Sequence, residues 1–195
     1  MTTRTERRPP PKITASYIEN AALHYLERFA SSRANLRRVL MRKADRSLAH
    51  WGGERSDAAQ VVDSVIARLA GLGYLDDGAY AEARVRALHR RGGSLRTIRA
   101  TLAAKGVEAE TAEAALETLA ESHPVPDRAA AIALARRRRL GPFRAGGKRA
   151  EFRDRDLAAL GRAGFPWEIC RAVIEAEDAA ALEEMLAEEQ GVTPR

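Results

Sequence analysis

One cysteine, four histidines and a glycine-rich run ending in lysine are the side chains of this chain best suited to catalysis, and none stands in a pattern that performs it. Cys170 falls beside Ile169 and Val173 at helical spacing, which reads as a buried thiol rather than a nucleophile. His24, His50, His89 and His123 are scattered, with no ligand spacing among themselves or to Cys170, so no metal site is expected. The run from Gly141 to Lys148 superficially resembles a phosphate loop. It fails, because Pro142 occupies the required first glycine, Arg149 follows where Ser or Thr is needed, and no strand precedes it. The expectation is a protein without catalysis, metal or cofactor.

What the chain does offer is arginine. Of 33 basic residues 29 are Arg, the net charge is +6 and the sequence pI is about 10.0. The guanidinium is a planar fork that meets phosphate or carboxylate with two parallel hydrogen bonds. The charge is also segregated: residues 28–46 carry +6, residues 84–105 carry +7 with no acid, residues 127–155 carry +7, and residues 175–190 carry −7. Three basic blocks and an acidic tail point to an extended electropositive surface. Its best candidates for partner contact are Arg86, Arg90, Arg91, Arg96 and Arg99, outward-facing by helical period, with Arg33, Arg37 and Arg38 as a second patch. Lys105 stands in a last helical turn before Gly106, where a cation complements the dipole as readily as it contacts a partner. Arg136 to Arg139 run right round a helix, so at least one of them is expected to be paired or snorkelling.

The elements that must hold these arginines are helices. The 195 residues include 39 Ala and 19 Leu against 9 Val and 7 Ile, and no stretch alternates as a strand, so the fold class is all-α. A helix over 17–29 places Ala22, Leu26 and Phe29 on one face. Ser32 caps a second with Leu36, Val39 and Leu40 inward; after a loop over 49–55, Ser56 caps a third with Val62, Val65, Ile66 and Leu69 inward. Gly71 or Gly73 ends it, and Asp76 or Asp77 caps the next, which turns Ala81, Val85 and Leu88 in and Glu82, Arg86, His89 and Arg90 out. Ser94 caps a helix with Leu95, Ile98 and Leu102 inward, ended by Gly106, and another runs over 109–121. Beyond the linker His123-Pro124-Val125-Pro126, Asp127 caps an Ala-rich helix that Gly141-Pro142 stops; helices over 153–163 and 166–177 follow. The unit of helix, basic helix, glycine stop and helix repeats about three times: Leu36, Leu40 and Lys43 match Ile98, Leu102 and Lys105, and Leu102, Gly106 and Val107 match Leu160, Gly164 and Phe165.

The run Gly73-Tyr74-Leu75-Asp76-Asp77, followed by Tyr80-Ala81, Val85-Arg86, Ile98, Leu102 and Lys105-Gly106-Val107, resembles the RecX family of regulatory proteins. The likeness extends more loosely over 23–43 and 157–174, whereas Ala44 after Lys43, Ser94, the insertion over 46–55 and the acidic tail depart from it. The resemblance implies an elongated, curved array of three tandem three-helix repeats that binds the RecA filament and impedes its recombinase, ATPase and coprotease functions in recombination, DNA repair and the SOS response. Within that motif Tyr74, Leu75, Tyr80, Val85, Ile98 and Leu102 are expected in the core with Ala81, and Asp76 and Asp77 as caps.

The expected organisation is a disordered basic arm over 1–14, repeats over 15–75, 76–122 and 127–182, and an acidic tail over 183–195 that either completes the last repeat or folds over the basic surface. With no apolar run of membrane length, no signal peptide or anchor in the charged, Pro-rich N-terminus, and a single cysteine, a cytoplasmic monomer without membrane contact is expected. Two other readings remain open: a protein that binds single- or double-stranded DNA directly through the same arginines, and a helical scaffold for another acidic protein. No aromatic platform interleaves with the basic blocks, which weighs against the first.

Overall fold

The computed structural model describes residues 9–145 and 147–189, and over them the protein is all-helical: ten α-helices, one 3-10 turn and no strand. It divides into two compact units, up to Tyr80 and from Ala81 onward, with the division inside the fourth helix. Residues 1–8 of the expected arm, Gly146, and residues 190–195 of the expected tail lie outside the described residues.

The first unit holds α1 (Ala15–Leu26), α2 (Arg33–Trp51) and α3 (Arg55–Gly71). Ile18 and Ala22 of α1, Leu36, Leu40 and Met41 of α2, and Val62, Val65, Ile66 and Leu69 of α3 bury one another, joined by Leu75. Complete burial of each large aliphatic chain contributes about 1.5–3 kcal/mol. Thr14 and Ser32 cap α1 and α2 through their hydroxyls.

Several details correct the expectations. Helix α1 ends at Leu26, so Phe29 falls beyond it, 53% exposed, against Tyr25. The loop expected over 49–55 is shorter, Gly52 to Glu54: α2 runs on to Trp51, because only Gly52 and Gly53, both at positive φ, break a helix-forming stretch. Glu54 rather than Ser56 precedes α3, without a side-chain cap bond. From Pro10 onward the arm is tied to α2: the Trp51 indole N–H donates to the Pro10 carbonyl at 2.6 Å and the Ser47 hydroxyl to that of Pro11 at 2.8 Å.

Helix α4 (Asp77–Arg90) leads into α5 (Leu95–Ala104) and α6 (Ala109–Ser122). After these come α7 (Pro126–Arg138), the 3-10 turn Gly141–Phe143, α8 (Arg149–Arg162), α9 (Trp167–Glu175) and α10 (Ala179–Glu189). Ala131, Leu134, Leu157, Leu160, Phe165, Val173 and Leu182 share one core with Cys170, which is wholly buried. Helices α3, α4, α5 and α8 end alike. A glycine (Gly73, Gly92, Gly106, Gly164) donates to a carbonyl three residues back, and its successor to one five back. Helix α7 makes the same stop at Arg139, in the left-handed region at φ 55°, one residue pair before the expected Gly141-Pro142. At Gly92 and Gly164 the glycine is required twice over, since a Cβ would come within 2.7 Å of the Leu134 backbone nitrogen and 2.6 Å of the Ser94 hydroxyl.

Candidate partner-binding surface

Arg86 and Arg90 ride on the last two turns of α4, Arg91 follows it, and Arg96 and Arg99 open α5; all five are exposed, and Lys105, half-buried, is the residue that closes α5. The turn between the two helices is held from below. Arg137 donates to the Arg91 carbonyl at 2.6 Å, and the Ser94 and Thr97 hydroxyls both reach the Ala163 carbonyl, at 2.7 and 3.0 Å. The Leu95 N–H, an orphan donor of the first turn of α5, is taken by the Asp127 carboxylate at 2.8 Å. Asp127 therefore does not cap its own helix as expected; Val125 precedes α7, Pro126 starts it, and the carboxylate reaches back to α5.

Not all of the arginines are equally available. Arg99 meets Glu113 of α6 with two hydrogen bonds, at 2.7 and 2.8 Å, and Arg86 meets Glu82 one turn back at 3.2 Å. The fork of Arg99 holds the Glu113 carboxyl below its ordinary range, and Glu113 raises the guanidinium in return. Among the described residues no acid lies within ion-pairing distance of Arg90, Arg91 or Arg96. These three, within seven residues around the Gly92-Gly93 turn, are the uncompensated charge of this surface.

The first unit repeats the pattern. Ser32 caps α2 as Ser94 caps α5, and Arg37 meets Asp63 of α3 at 2.6 and 2.9 Å as Arg99 meets Glu113. That contact lowers the Asp63 carboxyl and raises Arg37. Arg33 and Arg38 are exposed beside it, and the Arg33 N–H donates to Asp77 at 2.8 Å, the counterpart of Leu95 to Asp127. The correspondence shifts from 62 residues on α2 and α5 (Arg37, Arg99) to 50 on the following helices (Asp63, Glu113). Most of that difference is taken up where α2, at 19 residues, outruns α5, at 10.

Of the motif residues, Leu75, Ala81, Val85, Ile98 and Leu102 are buried, and Asp76 caps α4 by accepting from Ala79 at 2.9 Å. Tyr74, expected in the core, is 58% exposed, and Tyr80 is half-buried. The stop at Gly73 turns Leu75 into the core and thereby Tyr74 out of it. His89, expected outward beside Arg90, is buried: its Nε2 donates to the Pro126 carbonyl at 2.7 Å and its ring lies 4.7 Å from that of His123. Burial lowers its pKa, partly opposed by that carbonyl. Burial also pushes the Cys170 thiol up, away from thiolate chemistry. The described residues contain no cluster of three or more His, Cys, Asp or Glu able to hold a metal, and no helix long and apolar enough to cross a membrane.

The charge count along 84–105 missed that acids outside it, Glu82 and Glu113, neutralise two of its arginines. Helical period was the available signal for Glu82, four residues before Arg86, whereas nothing local marks Glu113.

The family description "RecX, second three-helix domain" matches residues 76–116, the segment that carries the arginine turn. A regulatory protein RecX of Myxococcus xanthus is 45% identical over 177 residues, covering 89% of this chain and 94% of that one. One of Agrobacterium fabrum is 33% identical over 174 residues, covering 87% and 90%. A crystal structure of RecX from Lactobacillus salivarius shares the fold with a TM-score of 0.57 at 24% identity, over 83% of this chain and 94% of that one.

Proposed function

The chain belongs to the RecX family of regulatory proteins, and from that premise we propose that it is a non-enzymatic regulator that binds the RecA nucleoprotein filament and restrains its recombinase, ATPase and coprotease activities. The reading places it in the cytoplasm, as a monomer acting in homologous recombination, DNA repair and the SOS response, with three-helix repeats over 15–75, 76–122 and 127–182. The observation that carries the contact is the uncompensated trio Arg90, Arg91 and Arg96, on a turn anchored by Arg137, Asp127 and Ala163. Anchoring matters because a preorganised guanidinium loses less conformational freedom on binding. Arg86, Arg99, Arg33, Arg37 and Arg38 flank the contact, and Lys105 is a lesser candidate.

The test is inhibition of RecA's DNA-dependent ATPase by the full chain and by the variant Arg90→Glu, Arg91→Glu, Arg96→Glu. Inhibition is expected to fall at least about tenfold with the melting temperature nearly unchanged, since exposed charges contribute under about 1 kcal/mol each to folding. Unchanged inhibition overturns this surface. Loss of binding to bare single-stranded DNA, with filament inhibition retained, favours the reading in which these arginines take DNA phosphates directly.

A further inference from the structure

The end of α7, the segment after the 3-10 turn and one face of α8 enclose an open concavity. Its charged lining is four arginines, Arg138, Arg144, Arg155 and Arg162, and one carboxylate, Asp156. The carboxylate is already engaged. Only 1% exposed, Asp156 accepts from the Gly141 N–H at 2.9 Å and from Arg144 at 2.5 and 3.2 Å. Arg144 also lies 4.3 Å from the centre of the Phe152 ring, with Arg155 at 5.6 Å from the same ring. A buried charge pair and an aromatic ring thus fix the floor.

The other arginines have no carboxylate partner. Among the described residues no carboxylate lies within ion-pairing distance of Arg138, Arg155 or Arg162. Arg155 and Arg162 are seven residues apart, about two turns, and so share a face of α8, with the small Ala159 between them leaving the hollow open. Three like charges turned to one hollow repel unless an anion sits among them. We propose that this concavity is a phosphate-binding site, distinct from the surface around Gly92. Guanidinium forks match the oxygens of a tetrahedral phosphate. No aromatic ring lines the hollow, so the site offers no platform for base stacking and reads phosphate alone. A phosphodiester of single-stranded DNA and a free diphosphate present that same chemistry.

The full chain and the variant Arg155→Ala, Arg162→Ala are titrated with inorganic pyrophosphate and, separately, with short oligo-dT at several salt concentrations. The variant Arg42→Ala, Arg46→Ala, with the same charge change on exposed residues of α2, is the control. The site predicts at least about a tenfold loss of pyrophosphate affinity in the pocket variant alone, with its melting temperature unchanged. If the natural ligand is a nucleic-acid backbone, the salt slope for oligo-dT also falls, by about 1.4 for two lost contacts to a single strand. An unaltered slope with pyrophosphate binding lost assigns the site to a free phosphate anion. Equal losses in pocket and control variants, unchanged affinity for both probes, or displacement of pyrophosphate by polyglutamate as readily as by phosphate overturns the proposal. If the double variant melts lower, the charge-keeping Arg155→Lys, Arg162→Lys replaces it and must still lose affinity, since a point charge cannot reproduce the fork.

Discussion

The Asp127 carboxylate, in the first turn of α7, accepts a hydrogen bond from the Leu95 N–H at the start of α5, and Asp77 at the start of α4 does the same for Arg33 at the start of α2. Both α2 and α5 therefore receive one cap from the serine that precedes them and another from the helix two further along the chain. A free N–H at a helix start needs an acceptor, and a negative charge there also meets the positive end of the dipole. Asp127→Ala is expected to cost about 0.5–2 kcal/mol by urea unfolding, and Asp127→Asn, which keeps an acceptor, distinctly less. Equal losses from both would mean that charge rather than the hydrogen bond carries the contact.

The ion pair of Arg99 and Glu113 joins α5 to α6 at the surface, with both side chains about half exposed. A double-mutant cycle on Arg99→Ala and Glu113→Ala should give a coupling of no more than about 1 kcal/mol at neutral pH. The Glu113 carboxyl is held below its unfolded value, so its contribution is complete above the ordinary carboxylate range and is lost as pH falls through the folded value. The coupling should therefore vanish in strong acid; coupling that survives there would be packing rather than charge.

His89 makes stability depend on pH in a different window. Its folded pKa is lowered by burial, so the unfolded chain takes up the proton first, near the ordinary histidine value of about 6.5. Stability should be complete above that value and fall as pH drops below it. The His123 ring adds to the effect and Asp127 opposes it. Melting curves of wild type and His89→Gln between pH 5 and 8 test this: the wild-type slope should flatten in the variant. A slope that persists places the titration elsewhere.

Helix α10 packs with α7, α8 and α9: Leu182 is wholly buried in the core they build. Its acids also pair with the basic block of α7, Glu183 with Arg136 at 2.5 Å and Glu189 with Arg128. Of the four consecutive arginines, Arg136 is thus paired and Arg137 bonds a carbonyl. Glu183→Gln with Glu189→Gln should tighten binding to bare single-stranded DNA at low salt, the gain shrinking as salt rises. Unchanged affinity at low salt would leave α10 a structural role alone.

The helical class, the inward sets Leu36–Leu40 and Ile98–Leu102, the caps Ser32 and Ser94 and the stops at Gly73, Gly106 and Gly164 were legible along the chain, because each depends on spacing within one or two turns. So was the likeness of 73–107 to its family. Helix ends that depend on a weak balance were not: α2 crosses a stretch that composition marks as a loop, and Tyr74 faces out although its neighbour Leu75 faces in. What only tertiary structure decided is which charges remain uncompensated. Asp63, Glu113 and Asp127 lie 14 or more residues from the groups they satisfy, and no local period records such a meeting. Arg99 and Arg96 are alike in sequence, both basic and both outward on α5. They differ because α6 brings a carboxylate to one and nothing comparable to the other, and an electrostatic contact falls off with distance in space rather than with separation along the chain.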